Sequence, residues 1–179
     1  MSTRTDNARS IRYSGEQSLA SDVVLHPGEE PPLASHLVTP RALYSHHGIY
    51  IGNGRVIHYS GLAHGLQRGP VEDISLEHFA RGRGIRIRHE APKFDRGEVV
   101  ERARSRLGER HYRLLTNNCE HFCSWALRDE SCSIQVERLR ALPRAMRFVL
   151  CALIERGIPF PIPTYRATPS CNRPGYAPA

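Results

Sequence analysis

The first half of the chain alternates apolar and polar residues over short runs, and this pattern predicts a sheet. Residues 35–40 (S-H-L-V-T-P) form a candidate first strand with Pro40 at its edge, since proline cannot donate to a neighbouring strand. Residues 85–88 (I-R-I-R) alternate cleanly and predict a half-buried strand. Between residues 61 and 70 no periodicity is visible, and we expect irregular structure there.

The longest β-rich stretch is interrupted by Gly-Asn-Gly at residues 52–54, which predicts a hairpin because glycine and asparagine tolerate positive φ. A two-residue turn would place His47 and His58 on the same face of the hairpin. A three-residue turn, with Gly54 in a left-handed bulge, would instead place His46 and His58 on one face as diagonal neighbours. The residues alone leave both registers open.

Beyond the predicted strands, apolar residues recur at helical spacing. Residues 75–81 predict a short helix, and residues 96–107 predict a longer one that ends at Gly108. Past residue 129 the same spacing predicts further helical structure. Its most apolar part, residues 146–154, is too short to span a bilayer. This segment either completes the core or lies at a membrane interface, and we favour the core.

A further helix is predicted to begin within residues 115–126 (L-T-N-N-C-E-H-F-C-S-W-A), which carry the strongest candidate for chemistry. Asn117 is the predicted N-cap, and Glu120 completes a capping box. Cys119 then lies in the first helical turn, where unpaired N–H groups and the helix dipole favour a thiolate. A nucleophilic cysteine also requires an imidazole as its base. The alternative is a small buried cysteine with a structural role.

The chain carries 25 lysine and arginine residues against 18 acidic residues, a net charge of +7. The basic residues are almost all arginines scattered along the chain, so we do not predict nucleic-acid binding. They form either a solvated basic surface or one that mildly attracts anionic lipid headgroups. The polar N-terminus shows no secretion signal, so we expect a cytoplasmic protein, with peripheral membrane contact as an open alternative. We predict no metal site.

Two segments resemble one known family. Residues 44–59 (Y-S-H-H-G-I-Y-I-G-N-G-R-V-I-H-Y) and residues 117–125 (N-N-C-E-H-F-C-S-W) are similar to motifs of the lecithin:retinol acyltransferase (LRAT) family. That family is a circularly permuted branch of the NlpC-type cysteine peptidase superfamily. The resemblance runs from about residue 34 to residue 128. It implies an α+β fold, in which a small antiparallel sheet packs on helices in a permuted NlpC/papain-like arrangement.

The resemblance also implies roles for three residues. Cys119 would be the nucleophile, His46 the general base, and His58 the residue that orients His46, which requires the three-residue turn. The implied reaction is two-step acyl transfer, in which the thiolate attacks an ester carbonyl, ordinarily of a phospholipid, and forms a thioester. Water then releases a fatty acid, as in a phospholipase A, or an amine or alcohol takes the acyl group. No cofactor is implied.

Two other functions are compatible with the same residues. The triad could hydrolyse amides or peptides, or a module that retains the fold without activity could bind partners. For the domain organisation we expect a disordered tail at 1–30, an LRAT-like catalytic domain at 31–130, a helical extension at 131–157 and a proline-rich tail at 158–179. The acyl donor, the acceptor and the oligomeric state stay open at this point.

Overall fold

Six antiparallel strands form one sheet in the part of the chain that the computed structural model describes, residues 22–42, 44–64 and 67–156. The strands are β1 (Val23–Leu25), β2 (His36–Pro40), β3 (Ser45–Gly52), β4 (Arg55–His64), β5 (Gln67–Ser75) and β6 (Ile85–Arg88). Their order across the sheet is β1-β6-β2-β3-β4-β5. The helices are α1 (Leu76–Ala80), α2 (Arg96–Ser105), α3 (Cys119–Arg128), α4 (Ile134–Ala141) and α5 (Arg144–Arg156). The predicted α+β class is confirmed.

Alternation along β3 and β4 divides the core into two layers, because successive side chains of a strand point to opposite faces. On one face, Ile49, Ile57 and Tyr59 pack with residues of α2 and α3. On the other face, Tyr50 packs in a second cluster with Phe79 of α1. Neighbouring residues of these strands therefore contact different helices.

The β3–β4 hairpin combines features of the two turn geometries considered from the sequence. Next to the turn, Gly52 pairs with Arg55, as in a two-residue turn, whereas further along the strands Gly48 pairs with His58. The register shifts between Tyr50 and Gly52, and Gly52 adopts a positive φ of 87°. The bulge therefore produces the histidine register that we expected of a three-residue turn.

Strand β1 lies inside the segment 1–30 that we expected to be a disordered tail, so that expectation is wrong for the strand. It pairs with β6 at the edge of the sheet. It contains three residues, two of them exposed valines, and so short a run shows no alternation. Residues 1–21 of that tail and the proline-rich tail at 158–179 lie outside the described residues.

Strands β4 and β5 extend through much of the segment 61–70 that we expected to be irregular. Gly61 and Gly69 pair directly across the hairpin. Glycine at position 69 leaves room for the Ser60 hydroxyl, because a Cβ there would overlap that hydroxyl unless it rotated away. The glycines that resemble turn signals in the sequence therefore allow two strands to approach closely.

The apolar segment 146–154 forms most of α5, and the expectation that it completes the core is wrong for three of its residues. Met146, Phe148 and Val149 are 55%, 78% and 56% exposed. Helix α5 therefore presents apolar side chains at the surface. Among the described residues, no helix is both long enough and apolar enough to cross a membrane.

Candidate active site

Helix α3 begins at Cys119, so the thiol belongs to the first residue of the helix. The N-cap is Asn118, not the predicted Asn117. Its side-chain oxygen accepts hydrogen bonds from the backbone N–H groups of Glu120 at 2.9 Å and His121 at 3.1 Å. The capping box is completed by His121 rather than Glu120, since His121 Nδ1 accepts the Asn118 N–H at 3.4 Å. The cap satisfies donors that the helix start would otherwise leave unpaired.

Asn117 instead anchors the loop before α3. Its amide donates to Glu109 Oε1 at 3.1 Å and to the His111 carbonyl at 3.0 Å. Arg106 donates two hydrogen bonds of 2.6 Å to the same carboxylate, and the Tyr59 hydroxyl donates another at 3.0 Å. Although burial opposes ionisation, these bonds lower the pKa of Glu109 to about 2. The loop that leads into α3 is therefore tied to β4 and to the end of α2.

His46 and His58 are in direct contact on neighbouring strands. His46 Nε2 lies 2.8 Å from His58 Nδ1, and the two rings are almost perpendicular at 85°. Both side chains are buried, and the Phe79 ring covers them with centroid distances of 5.3 Å and 5.9 Å. Gly48 makes room for this packing, because a Cβ there would lie 2.6 Å from Val56 and 2.9 Å from Phe79.

Both imidazoles of this pair are held in their neutral form. Burial lowers the pKa of His46 well below 6.5, and His58 when protonated and the charge of Arg41 lower it further. Burial also lowers the pKa of His58, although Glu72 offsets part of that effect. Because His46 Nε2 contacts His58, Nδ1 is the nitrogen of His46 that can take a proton from another group.

Cys119 is 2% exposed, and α3 packs against β3. Burial raises the pKa of Cys119 to about 12, although hydrogen bonds from the backbone N–H groups of His47 and Glu120 favour the thiolate. The expected thiolate at the helix start is therefore not favoured, because desolvation outweighs the helix terminus. His47 directly follows His46 in β3, so its N–H contact brings the sulfur to the strand that carries His46.

A cleft lies beside the histidine pair. It is lined by Arg41, Tyr44, His46, His58, Ser60, Glu72, Ile74, His78, Phe79 and Arg81. Burial raises the pKa values of Tyr44 and Tyr112, and a thiolate at Cys119 would raise them further, so both phenols are neutral donors near the thiol. Neither tyrosine was identified as a site residue from the sequence, and neither was Glu72. No spacing rule relates these residues to Cys119, and only the fold brings them to the site.

A second buried polar network joins α3 to α4. Glu120 Oε1 accepts a hydrogen bond from Arg88 at 2.7 Å. Glu120 Oε2 accepts from the Ser133 hydroxyl at 2.6 Å and from the Gln135 backbone N–H at 3.1 Å. Gln135 also clamps the start of β3, since its side chain accepts the Ser45 N–H at 2.8 Å and donates to the Ser45 carbonyl at 3.1 Å. Helix α4 thereby holds β3, the strand that carries His46.

His47 belongs to this network and not to the histidine pair. Its Nε2 lies 3.1 Å from Gln135 Nε2, which only donates, so His47 Nε2 is the acceptor. Its Nδ1 then donates to His36 Nε2 at 2.8 Å, and His36 Nδ1 donates to Glu90 at 3.1 Å. Both nitrogens of His47 are therefore occupied. In the described part of the chain, no group of three His, Cys, Asp or Glu side chains could hold a metal ion.

Comparison with known proteins points to a single family. The family model described as lecithin retinol acyltransferase matches residues 29–132. A lecithin retinol acyltransferase of Bos taurus is 29% identical over 154 residues, and that of Homo sapiens is 28% identical over 150 residues. Each match covers 66% of this chain and 65% of the relative, so the chain spans slightly less than two thirds of the length of these relatives.

The matched region includes the β3–β4 hairpin with both histidines and the start of α3 with Cys119. It ends just before α4, so Gln135 lies outside it. The family model covers more than half of the chain of 179 residues. This chain therefore belongs to the lecithin retinol acyltransferase family.

Proposed function

We propose that this protein is a thiol acyltransferase in which Cys119 is the nucleophile, His46 the general base and His58 the residue that orients His46. The main support is the 2.8 Å contact between His46 Nε2 and His58 Nδ1, together with the position of His46 next to His47, whose backbone N–H bonds the Cys119 sulfur. A nucleophile, a base and a third group that orients the base are the parts that this chemistry requires. Membership of the family also supports it.

In the first step, the Cys119 thiol gives its proton to His46 Nδ1 while the sulfur attacks the carbonyl carbon of an ester. Because burial raises the pKa of Cys119 to about 12, we infer that proton transfer accompanies the attack. The backbone N–H of Cys119 at the helix start stabilises the oxyanion. The His46 imidazolium then protonates the leaving alcohol as the C–O bond breaks, and a thioester remains on the sulfur.

In the second step, His46 takes a proton from the acceptor as the acceptor attacks the thioester carbon. The C–S bond breaks, and the proton returns to the sulfur of Cys119. With water as acceptor the product is a fatty acid and the activity is that of a phospholipase A; with an alcohol or amine it is acyl transfer. We propose a phospholipid as the donor, because the relatives are named for lecithin and retinol.

Incubation with phosphatidylcholine vesicles is expected to add the mass of one acyl chain to the protein. The adduct is measured by intact-mass spectrometry after an acid quench, which preserves a thioester, and hydroxylamine should remove it. Cys119→Ala should form no adduct. Cys123→Ala is the matched control, because it removes a buried thiol one helical turn away, and it should still be acylated.

Two results would contradict this function. If peptides or amides acylate the protein and lipid esters do not, the same triad serves amide hydrolysis. If no ester or amide forms an adduct with the wild-type protein, the proposal of a thiol acyltransferase fails.

We also propose that α5 contacts the surface of the membrane that holds the donor. Its side chains Met146, Phe148 and Val149 are exposed, and Arg144 and Arg147 lie among them in the helix. Apolar side chains with arginines between them suit a position at the boundary between headgroups and acyl chains. The net charge of +7 favours anionic lipids.

Phe148→Ser is expected to weaken binding to vesicles that contain anionic lipid by about 10-fold, because the 78% exposed ring can no longer be buried. Co-sedimentation with vesicles measures the change. Leu107→Ser is the matched control, since Leu107 is 45% exposed but follows α2, and it should bind like the wild type. Equal binding by Phe148→Ser and the wild type would rule out α5 as the contact surface.

A further inference from the structure

His58 has one ring nitrogen that neither His46 nor the proposed mechanism uses. This nitrogen, Nε2, is buried and has no aligned hydrogen-bond partner among the described residues. The carboxylate oxygen Oε1 of Glu72 lies 3.3 Å from it. His58 and Glu72 are directly opposite each other in the β4–β5 pairing, and both line the cleft. Because a buried N–H without an acceptor is costly, a small rotation of the half-exposed Glu72 side chain would complete the hydrogen bond.

We propose that Glu72 is a positioning residue that holds His58 in the tautomer whose Nδ1 accepts the Nε2–H of His46. This role rests on the proposed function, because it concerns the base of that reaction. An ionised carboxylate only accepts hydrogen bonds, so His58 donates through Nε2 and keeps a lone pair on Nδ1. His46 then donates through Nε2 and keeps a lone pair on Nδ1 for the proton of the thiol.

The opposite tautomer of His58 would block the first step. With its proton on Nδ1, His58 would donate to His46 Nε2, and the proton of His46 would move to Nδ1. That N–H cannot accept the proton of Cys119. Glu72 therefore acts on Cys119 through two imidazoles, as the acid of a Ser-His-Asp triad acts through one. Its charge also stabilises the imidazolium that forms during the attack.

The other ionisable groups around His58 do not supply this function. The groups that face the cleft with it are Arg41, Tyr44, His46, His78 and Arg81. Burial lowers the pKa of His58, and Arg41 and Arg81 lower it further, whereas Glu72 raises it. The effect of the Glu72 carboxylate on the pKa of His58 is thus opposite to that of Arg41 and Arg81.

The test compares Glu72→Gln with the wild type in the burst of p-nitrophenol from p-nitrophenyl butyrate, followed across pH. Glutamine can donate to His58 Nε2, which admits the blocking tautomer, so we expect a burst about 10-fold slower. Loss of the carboxylate also destabilises the imidazolium, so the acid limb of the profile should move to lower pH by about half a pH unit. Asp73→Asn is the matched control, because Asp73 follows Glu72 on the same strand, β5, and its carboxylate pairs with Arg55 instead of His58.

A second measurement does not depend on activity. Nitrogen-15 chemical shifts of the His58 ring report its tautomer, and we expect the Nε2–H form in the wild type and a mixture in Glu72→Gln. An Nδ1–H form in the wild type would overturn the role of Glu72, as would a Glu72→Gln variant with unchanged burst rate and acid limb. A slower burst with an unmoved acid limb and an unchanged tautomer would also overturn it. If the wild type shows no burst, the proposed function fails. The His58 tautomer, measured from the nitrogen-15 shifts, then still decides whether Glu72 positions His58.

Discussion

Replacing His46 with glutamine is expected to slow thioester formation at Cys119 about 1,000-fold, within the range that a positioned base contributes. Glutamine keeps an N–H that can donate to His58 Nδ1, which lies 2.8 Å from the imidazole in the wild type. It has no group that can take the proton of the thiol. The measurement is the burst of p-nitrophenol from p-nitrophenyl butyrate in rapid mixing, with single-turnover conditions to isolate acylation.

His58→Asn is the matched variant, because asparagine places an oxygen close to the position of Nδ1 and can still accept from His46. We expect it to slow the burst about 10-fold, since orientation is kept and only the link to Glu72 is lost. Comparable losses in the two variants would mean that the histidines act as one structural unit. A His46→Gln variant with the wild-type burst rate would rule out His46 as the base.

The pH dependence distinguishes a general base from a preformed ion pair. Burial raises the pKa of Cys119 to about 12 and lowers that of His46 well below 6.5, so both groups are neutral at pH 7. Neutral His46 is the form that accepts a proton, and it persists as the pH falls through 6.5. The wild-type burst should therefore stay level from about pH 8 to below 6.5, and it should show a normal solvent deuterium isotope effect.

The hairpin shows how far the residues of this chain predict the site. The Gly-Asn-Gly turn at 52–54 predicts two paired strands, and alternation predicts that one of two adjacent histidines meets His58. Which of the two histidines meets His58 depends on a single inserted residue between Tyr50 and Gly52. A bulge of this kind is decided by packing on both faces of the sheet, and the residue pattern is compatible with either outcome. The family resemblance implies His46 as the base, and the observed pairing of Gly48 with His58 is the register in which His46 contacts His58.

The start of α3 was predicted to within one residue, because capping is a local property. The prediction that Glu120 completes the capping box was wrong because of contacts that Glu120 makes elsewhere in the fold. Glu120 is bonded to Arg88, 32 residues earlier, and to Ser133, 13 residues later, so it does not reach back to the cap. The prediction of a thiolate at Cys119 was wrong for the same kind of reason, since the pKa of the thiol depends on burial and burial is a tertiary property. Glu72 was missed because its strand contains glycine and proline, which suggested irregular structure.

Replacing Glu120 with glutamine is expected to lower the free energy of unfolding by about 3 kcal/mol, because removing one partner of a buried ion pair leaves the other uncompensated. Glu120 is 2% exposed and accepts from Arg88 at 2.7 Å. Without its charge, the nearest carboxylate to Arg88 is Glu90 at 3.7 Å. Urea unfolding measures the loss. Glu101→Gln is the matched control, since its ion pair with Arg104 is exposed and contributes less than about 1 kcal/mol.

The same carboxylate links stability to acid. Although burial opposes its ionisation, the charge of Arg88 and the Ser133 hydroxyl lower the pKa of Glu120. Its folded pKa lies below its unfolded value, so its contribution is complete above about pH 4.5 and is lost as the pH falls through the folded pKa. The stability difference between the wild type and Glu120→Gln should therefore be level from neutral pH to about 4.5 and shrink as the pH is lowered further to about 3. A difference that is constant with pH would mean that glutamine disturbs packing and not charge.

Loss of the Glu120 charge is expected to destabilise the fold but to favour ionisation of the Cys119 thiol. The negative charge of Glu120 contributes to raising the pKa of Cys119, so its removal makes the thiol easier to ionise. Glu120 also holds Gln135, whose clamp on Ser45 positions the start of β3. If positioning dominates, the burst at pH 7 should fall although the thiol is more acidic. We expect that outcome, because His46 must reach the sulfur whether the thiol is ionised or not. An unchanged or faster burst in a destabilised Glu120→Gln variant would show that α4 does not position the site.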